Sequence, residues 1–302
     1  MTTENLGNIL NTLVGNARAA LFNQGELAQL TYGAFSVASE KVTALEQNEI
    51  QVSYPIGYKP DKTTIQSNRT YTKNDLLQRY SALANYQLSI NGVIQLVTIV
   101  EAMLGDIVRS VLMKYPKKLG EKRMVSLQGV LEAHTLDEIK TRCVESLLND
   151  LTYKSPAEFA ETLKQYISVD LSDCPAFHKY IEIKAARDIV IHNRGVANDT
   201  YRRKAASHAR VSSGKYLPVD VPYFLESYEF CLQLTEWIET ELNELWHSSQ
   251  YTARKTQVPP SAPIVPDKTP EKLPASNQVI KGKAKKVGST KKPSATKRKR
   301  KK

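Results

Sequence analysis

Hydrophobic positions recur at three- and four-residue steps along most of the chain, the spacing that places side chains on one face of a helix. The first amphipathic helix of this kind runs through Leu6, Ile9, Leu10, Leu13, Val14, Ala17, Ala20 and Leu21. A second helix is expected over roughly 26–45. Residues 47–73 break the period with Pro55, Gly57 and Pro60, which indicates a long loop that can contain a short hairpin.

The stretch from about Lys73 to Tyr115 predicts a long helix whose second half is apolar on nearly every side. A helix of this kind is normally buried among its neighbours, so we expect a central rod that ends at Pro116. Glu101 lies inside it and is either the partner of a basic residue, with Arg187 as one candidate, or a surface position. One of these two must hold, because burying a carboxylate without a partner costs free energy. The polar residues of this half form a thin stripe: Asn91, Gln95, Thr98, Glu101, Gly105 and Arg109.

The rest of the body also has helical periodicity. Pro175 marks the start of one more helix and Gly195 its end, and the last helix opens at 220–222. Shorter helices are expected around 125–133, 136–149 and 156–168. No segment alternates like a buried strand, so the predicted fold is an all-α bundle with a long buried central helix.

Charge is distributed unevenly along the chain. The formal net charge is +11, but residues 251–302 hold 16 Lys/Arg against two acidic residues. Residues 1–250 hold the remaining 26 basic and 29 acidic residues, a balance of −3. Half of the 14 prolines and only one aromatic residue fall in the basic segment, so we predict a disordered tail over 251–302.

Several classes of protein are disfavoured by the sequence. The N-terminus lacks the pattern of a signal peptide, and the apolar stretch 90–113 contains three charged residues, so we expect a cytoplasmic protein without a membrane span. No phosphate-binding glycine loop and no HExxH motif occurs, and we expect no cofactor and no metal. The three cysteines, Cys143, Cys174 and Cys231, are widely spaced, so we expect neither a disulfide framework nor a zinc site.

The segment most suggestive of chemistry is RDIVIHNRG, residues 187–195, at the predicted end of a helix. Lys184, Asp188 and His192 are four residues apart and share one face. Arg187 and His192 are five apart, about 140° on an ideal helix, so a small adjustment of the last turn would bring both onto one ligand. A permanent cation, a carboxylate and an imidazole together suit phosphodiester chemistry.

Residues 175–195, between a long buried helix and a long closing helix, resemble the HEPN superfamily. The signature of that family is an arginine, often followed by a polar residue, and a histidine four to six positions later. The resemblance covers about 85–247, so residues 1–84 are expected to be an N-terminal helical extension and loop, followed by a HEPN-like bundle over 85–250. It implies a homodimer in which two Arg–His pairs meet in a cleft. Many members are metal-independent endoribonucleases that act as toxins, in antiviral defence or in RNA processing, and an antitoxin or other protein partner is possible.

The resemblance also implies roles for single residues. His192 is the general base or acid at the ribose 2′-hydroxyl, and Arg187 stabilises charge on the scissile phosphate. Asp188 orients one of these two side chains. The expected products are a 2′,3′-cyclic phosphate and a 5′-hydroxyl. Substrate contacts are assigned to Asn193, Arg194 and Lys184, of which the first two are also candidates for the dimer seam.

A non-catalytic interpretation stays open, because the Arg–His spacing is common. Arg202 and Arg203 both have the same range of spacings from His208. A histidine near a helix C-terminus is stabilised by the helix dipole whatever its function, and a surface charge pair contributes little. The alternative is therefore a helical module that binds RNA or a protein. Ordinary surface or helix-end positions are expected for His134, His178, His208 and His247.

The basic tail is a separate candidate for nucleic-acid binding. Its cations can displace counterions from a phosphate backbone without reading sequence. The candidate residues are Lys285, Lys286, Lys291, Lys292, Lys297, Arg298, Lys299 and Arg300. A solubilising or nuclear-import segment is an equal alternative. A further possibility is that the tail alone defines the function, with the body as an oligomerisation scaffold.

Overall fold

The computed structural model of the chain describes residues 5–120, 126–154 and 156–249. The predicted basic tail and its candidate residues lie outside this part of the chain. Helices dominate the described residues, which confirms the all-α prediction. The α-helices are α1 (Leu6–Ala44), α2 (Lys73–Ala82), α3 (Leu88–Lys114), α4 (Leu127–Leu131), α5 (Leu136–Tyr153), α6 (Pro156–Ile167), α7 (Pro175–His192), α8 (Asp199–Ala205) and α9 (Val221–Trp246).

Helix α3 is the central rod that the apolar pattern predicts. It packs against α1, α5, α6, α7 and α9, and twelve of its residues are buried. A single wide π-turn, Leu83–Gln87, joins α2 to α3, so the predicted helix from 73 to 115 contains one irregular turn. The rod ends where Pro116 begins a short 3-10 turn, since proline cannot donate the next helical hydrogen bond. None of the described helices is both long and apolar enough to cross a membrane.

Helix α1 is one continuous helix of 39 residues, so the prediction of two separate helices is wrong. Asn23 and Gln24 lie between the two predicted helices; Asn23 is exposed, Gln24 is partly exposed, and the helix continues through both. Gly25 passes so close to the ring of Tyr228 that an added Cβ would lie 2.8 Å from the ring Cζ. The helix continues through this stretch because the polar side chains lie at or near the surface and Gly25 leaves room for the ring of Tyr228.

The first half of α1 belongs to the same hydrophobic core as the rest of the bundle. Leu10, Val14 and Leu21 are buried in that core, and the helix packs against α3 and α9. Arg18 extends this contact, with Nη1 2.7 Å from Glu239 and Nη2 2.8 Å from Glu236 on α9. The family boundary proposed at residue 84 stays a prediction, but the helix before it contributes to the core.

Residues 49–72 form the hairpin for which the sequence leaves room. Strands β1 (Glu49–Tyr58) and β2 (Thr64–Thr72) pair antiparallel, with Glu49 opposite Thr72 and a bulge at Pro55 and Gly57. Lys73 joins the base of the hairpin to α1, because its ammonium donates to the carbonyls of Thr43 and Leu45. This two-stranded sheet is the only one among the described residues.

The chain after α7 returns along that helix and fixes its C-terminal end. Arg194 and Gly195 have positive φ angles of 52° and 77°, and a Cβ on Gly195 would lie 2.7 Å from the ring of Tyr216. Val196 pairs with Tyr216 in an isolated antiparallel bridge. Helix α8, which the hydrophobic pattern did not predict, then packs against α7. The predicted stop at Gly195 is confirmed within the residue range expected of helix ends.

Candidate functional site

A single carboxylate of the central helix holds two cations of α7. Lys184 donates to Oε1 of Glu101, and Arg187 donates through Nη2 to Oε2 of the same side chain. The three side chains are partly buried, with exposed fractions of 21% for Lys184, 17% for Arg187 and 31% for Glu101. Of the two alternatives for Glu101, the structure therefore supports the partner of a basic residue, and that partner includes Arg187.

Asp188 extends this arrangement to α8. Its Oδ1 lies 3.5 Å from Nη1 of Arg187, and its Oδ2 accepts from the ammonium of Lys204 at 3.2 Å. We use the name Glu101 cluster for Glu101, Lys184, Arg187, Asp188 and Lys204. Its three cations outnumber its two carboxylates, so the cluster has a formal charge of +1 and favours an anionic ligand.

Two buried polar atoms at the cluster have no hydrogen-bond partner among the described residues. They are Nε of Arg187 and the hydroxyl of Tyr180. Burial raises the pKa of the Tyr180 hydroxyl well above its ordinary value, and the charge of Glu101 adds to that effect. The hydroxyl is therefore neutral at physiological pH. A ligand or a movement of a neighbouring side chain could supply the hydrogen bond that this buried donor lacks.

His192 is the last residue of α7 and is exposed, with no hydrogen bond or ion pair to any described residue. The helix is regular to its end, because the Asn193 N–H donates to the Ile189 carbonyl at 2.9 Å. The backbone adjustment that would bring His192 towards Arg187 does not occur. The two side chains leave the helix about 140° apart, and no contact joins them.

The two residues after His192 have different surroundings. The side-chain amide of Asn193 donates to the Val196 carbonyl and closes the turn after α7. Arg194 is exposed in a left-handed conformation and makes no hydrogen bond or ion pair within the described chain. Of these two substrate-binding candidates, Arg194 is available for a ligand, whereas Asn193 already has a structural role.

A buried network on the other side of α7 was missed by the sequence analysis. Glu182 is 4% exposed and accepts from the hydroxyls of Tyr201 and Tyr223 and from Nε of Arg210, at 2.7, 2.8 and 3.2 Å. Burial, followed by the hydrogen bond to Glu182, raises the pKa of Tyr201 to about 12. The guanidinium of Arg210 lies 3.4 Å from the centre of the Tyr223 ring. This network anchors the segment around α8, and sequence spacings of 19 to 41 residues gave no signal for it.

The described residues contain no group of three or more His, Cys, Asp or Glu side chains that could hold a metal ion. Comparisons with protein-family models, with curated proteins and with solved structures found no match to this chain. The interpretation of the site therefore rests on the geometry above and on the resemblance of residues 187–195.

Proposed function

We propose that the chain is a metal-independent endoribonuclease of the HEPN type that acts on RNA as a homodimer. The observation that carries the proposal is the end of α7, where Arg187 is held by a carboxylate of the central helix and His192 is exposed to solvent. A positioned cation and a free imidazole are the two groups that metal-free cleavage through a 2′-hydroxyl requires. In a cell, such an enzyme serves as a cytoplasmic toxin or antiviral effector.

The proposed reaction is an internal transesterification. His192 takes the proton of the ribose 2′-hydroxyl, the 2′-oxygen forms a bond to phosphorus, and the bond from phosphorus to the 5′-oxygen breaks. The leaving 5′-oxygen receives a proton from an imidazolium, which gives a 2′,3′-cyclic phosphate and a 5′-hydroxyl. Arg187 stabilises the charge on the phosphate oxygens during this step.

In the proposed homodimer, the second chain supplies an arginine and a histidine that one chain cannot bring to the same phosphate. Arg187 and His192 of one chain leave the helix about 140° apart, so one phosphate does not easily contact both. Pairing of two helix ends in a cleft brings a second arginine and a second histidine to the same phosphate. Asp188 has a positioning role, because it lies 3.5 Å from Nη1 of Arg187 and limits the rotation of the guanidinium.

Cleavage of mixed RNA in the presence of EDTA tests this proposal. We expect the wild type to cleave and His192→Ala to lose at least about 100-fold in rate, the usual contribution of a general base or acid. His178→Ala is the matched control, since His178 is exposed near the start of the same helix and its ring hydrogen-bonds only to the Ser172 carbonyl among the described residues. Full inhibition by EDTA, or full activity of His192→Ala, contradicts the proposal.

The second candidate is a non-catalytic helical module that binds RNA or a protein partner. One observation favours it: both Nη atoms of Arg187 face carboxylates and its Nε is buried, so the guanidinium has its charge already compensated. In that case the Glu101 cluster is a structural link between α3, α7 and α8. The same assay separates the two candidates, because a wild type that binds RNA without any cleavage supports the module.

A further inference from the structure

The second half of α1, residues 26–44, has hydrophobic residues on two sides, and one side packs within the chain. The hydroxyl of Tyr32 lies 2.9 Å from the hydroxyl of Ser89 on α3. The ring of Phe35 lies 5.8 Å from the ring of Tyr80 on α2. This packed side joins the second half of α1 to α2 and to the start of α3.

The other side of the same half carries exposed hydrophobic residues. Leu27, Leu30 and Val37 are 55%, 67% and 51% exposed, and Ala34 between them is exposed as well. Steps of three, four and three residues place all four on one face, about 150° around the helix from the packed side. We use the name α1 stripe for these four residues. Hydrophobic positions at this spacing form the seam between two packed helices, and a contiguous exposed row of them indicates a binding surface.

Gly33 lies beside the α1 stripe, and no packing within the described chain requires a glycine there. An added Cβ would meet no described atom within 4 Å, whereas a Cβ on Gly25 would meet the ring of Tyr228. In a helix interior glycine costs about 1 kcal/mol relative to alanine. Because glycine allows close approach of another backbone, its position next to Ala34 favours a second helix against the α1 stripe.

The two ends of the α1 stripe carry opposite charges. Glu26 precedes it and Lys41 follows it, and both side chains are exposed and form no ion pair with a described residue. In an antiparallel pair of two copies, Glu26 of each chain lies near Lys41 of the other. A parallel pair would instead place Lys41 beside its own copy, where like charges repel. The charges therefore favour a second copy of this chain in the antiparallel direction.

We propose that the α1 stripe binds the α1 stripe of a second copy, with the two helices antiparallel. Leu27 of each chain lies opposite Val37 of the other, and Leu30 lies opposite Ala34, so every residue of the stripe meets a hydrophobic residue across a twofold axis. Glu26 is then displaced from Lys41 of the second copy by only about 4.5 Å along the helix axis. This contact lies before residue 84, outside the region that resembles the HEPN superfamily, and is separate from the pairing of α7 ends.

The size of the contact determines its expected strength. Residues 26–41 span about 22 Å of helix. A stable protein interface buries about 800 Å² on each partner, which a single pair of helices of this length does not reach. We therefore expect weak association through α1, with a Kd of roughly 10–100 µM.

Sedimentation velocity of the full-length protein without RNA, at about 1–200 µM, tests the contact. We expect the wild type to associate with increasing concentration and Leu30→Glu to weaken that association at least about tenfold, because it places a carboxylate in a hydrophobic contact. Leu131→Glu is the matched control, since Leu131 on α4 is also exposed, at 76%, but lies outside the α1 stripe. It should associate like the wild type. Thermal unfolding of each variant confirms that it is folded.

Charge reversal tests the antiparallel direction. Glu26→Lys and Lys41→Glu should each weaken the association about fivefold, because each places like charges together at both ends of the contact. The double variant Glu26→Lys/Lys41→Glu should associate like the wild type, since opposite charges face each other again. Two parallel helices would give no such rescue.

Three results would overturn the proposal: a wild type that stays monomeric over the whole range, a Leu30→Glu protein that associates like the wild type, or a double charge reversal without rescue. The first result would leave the α1 stripe to a different protein. A dimer that Leu30→Glu does not weaken leaves the pairing of α7 ends standing and overturns only the contact through α1. If both contacts form, the wild type reaches the mass of a tetramer and Leu30→Glu stops at the dimer. The absence of ribonuclease activity would not change any of these expected results.

Discussion

Glu101 is the residue on which the site depends most. Its two oxygens accept from two different cations on the adjacent helix, and the contact is less than one-third exposed. Removal of one partner from a poorly solvated group leaves the remaining charges uncompensated, which is more destabilising than the loss of an exposed pair. The carboxylate therefore both fixes Arg187 and joins α3 to α7.

We predict that Glu101→Gln lowers the free energy of unfolding by about 1–3 kcal/mol, measured by urea denaturation. The matched control is Glu145→Gln, because Glu145 also joins two helices through an arginine, Arg109, but its side chain is 44% exposed. That change should cost less than about 1 kcal/mol. An equal or smaller effect of Glu101→Gln would show that the Glu101 cluster does not stabilise the fold.

Helix α3 contains two glycines whose surroundings are opposite. Gly92 is buried at the crossing with α9, where an added Cβ would overlap the ring of Phe224, whereas Gly105 has open space. In a helix interior alanine is favoured over glycine by about 1 kcal/mol. The difference between the two sites isolates the effect of close packing from that of helix propensity.

The prediction is that Gly92→Ala destabilises the protein by about 1–3 kcal/mol, because the Phe224 ring must move, and that Gly105→Ala stabilises it by up to about 1 kcal/mol. Thermal or urea unfolding of both variants provides the measurement. If Gly92→Ala proved as stable as the wild type, α3 and α9 would not approach as closely as described.

The periodicity of hydrophobic residues predicts where helices lie better than it predicts where one helix ends and the next begins. The apolar pattern identified α3 as the buried rod, and Pro175 and Gly195 marked the limits of α7 to within a few residues. The continuity of α1 was missed because hydrophobic spacing alone does not show whether two consecutive amphipathic segments form one helix or two. Helix α8 was missed because seven residues are too few to establish a period.

The candidate site likewise contains residues that the sequence indicates and residues that only the structure shows. Arg187, Asp188 and Lys184 could be singled out from the sequence because they lie within five residues of one another on a single helix, whereas for Glu101 the sequence left two alternatives open and did not indicate Lys184 as a partner. The contribution of Lys204 could not be inferred, because it depends on how α8 packs against α7. The orientation of His192 away from Arg187 depends on the regular last turn, which residue types alone do not determine.

At the level of the whole molecule, the charge is divided between a mildly acidic body and a strongly basic C-terminal segment. Residues 1–250 have a formal charge of −3 and residues 251–302 a formal charge of +14. If the protein binds a polyanion, we therefore expect the salt dependence of that binding to come mainly from the C-terminal segment, whereas the reaction proposed for α7 does not require this segment.

A variant with Lys285, Lys286, Lys291 and Lys292 all replaced by glutamine should bind single-stranded RNA with a weaker salt dependence. We expect the magnitude of the slope of log affinity against log salt concentration to fall by up to about 3. The cleavage rate at saturating RNA should stay unchanged. The corresponding lysine-to-arginine variant keeps the charge and serves as the control. An unchanged slope would assign RNA binding to the body, and a lost cleavage rate would assign the tail a direct part in the reaction.

The occupied guanidinium of Arg187 has a consequence for any phosphate that arrives there. Binding of a phosphate there would be an exchange of one oxyanion for another, so its net affinity would be the difference between its own contacts and those of the displaced Glu101 carboxylate. Lys184 lowers the cost of that exchange, because it can retain the displaced side chain through the other oxygen. Glu101 thus competes with any anion that binds Arg187, and Glu101→Gln should tighten the binding of such an anion even as it destabilises the fold.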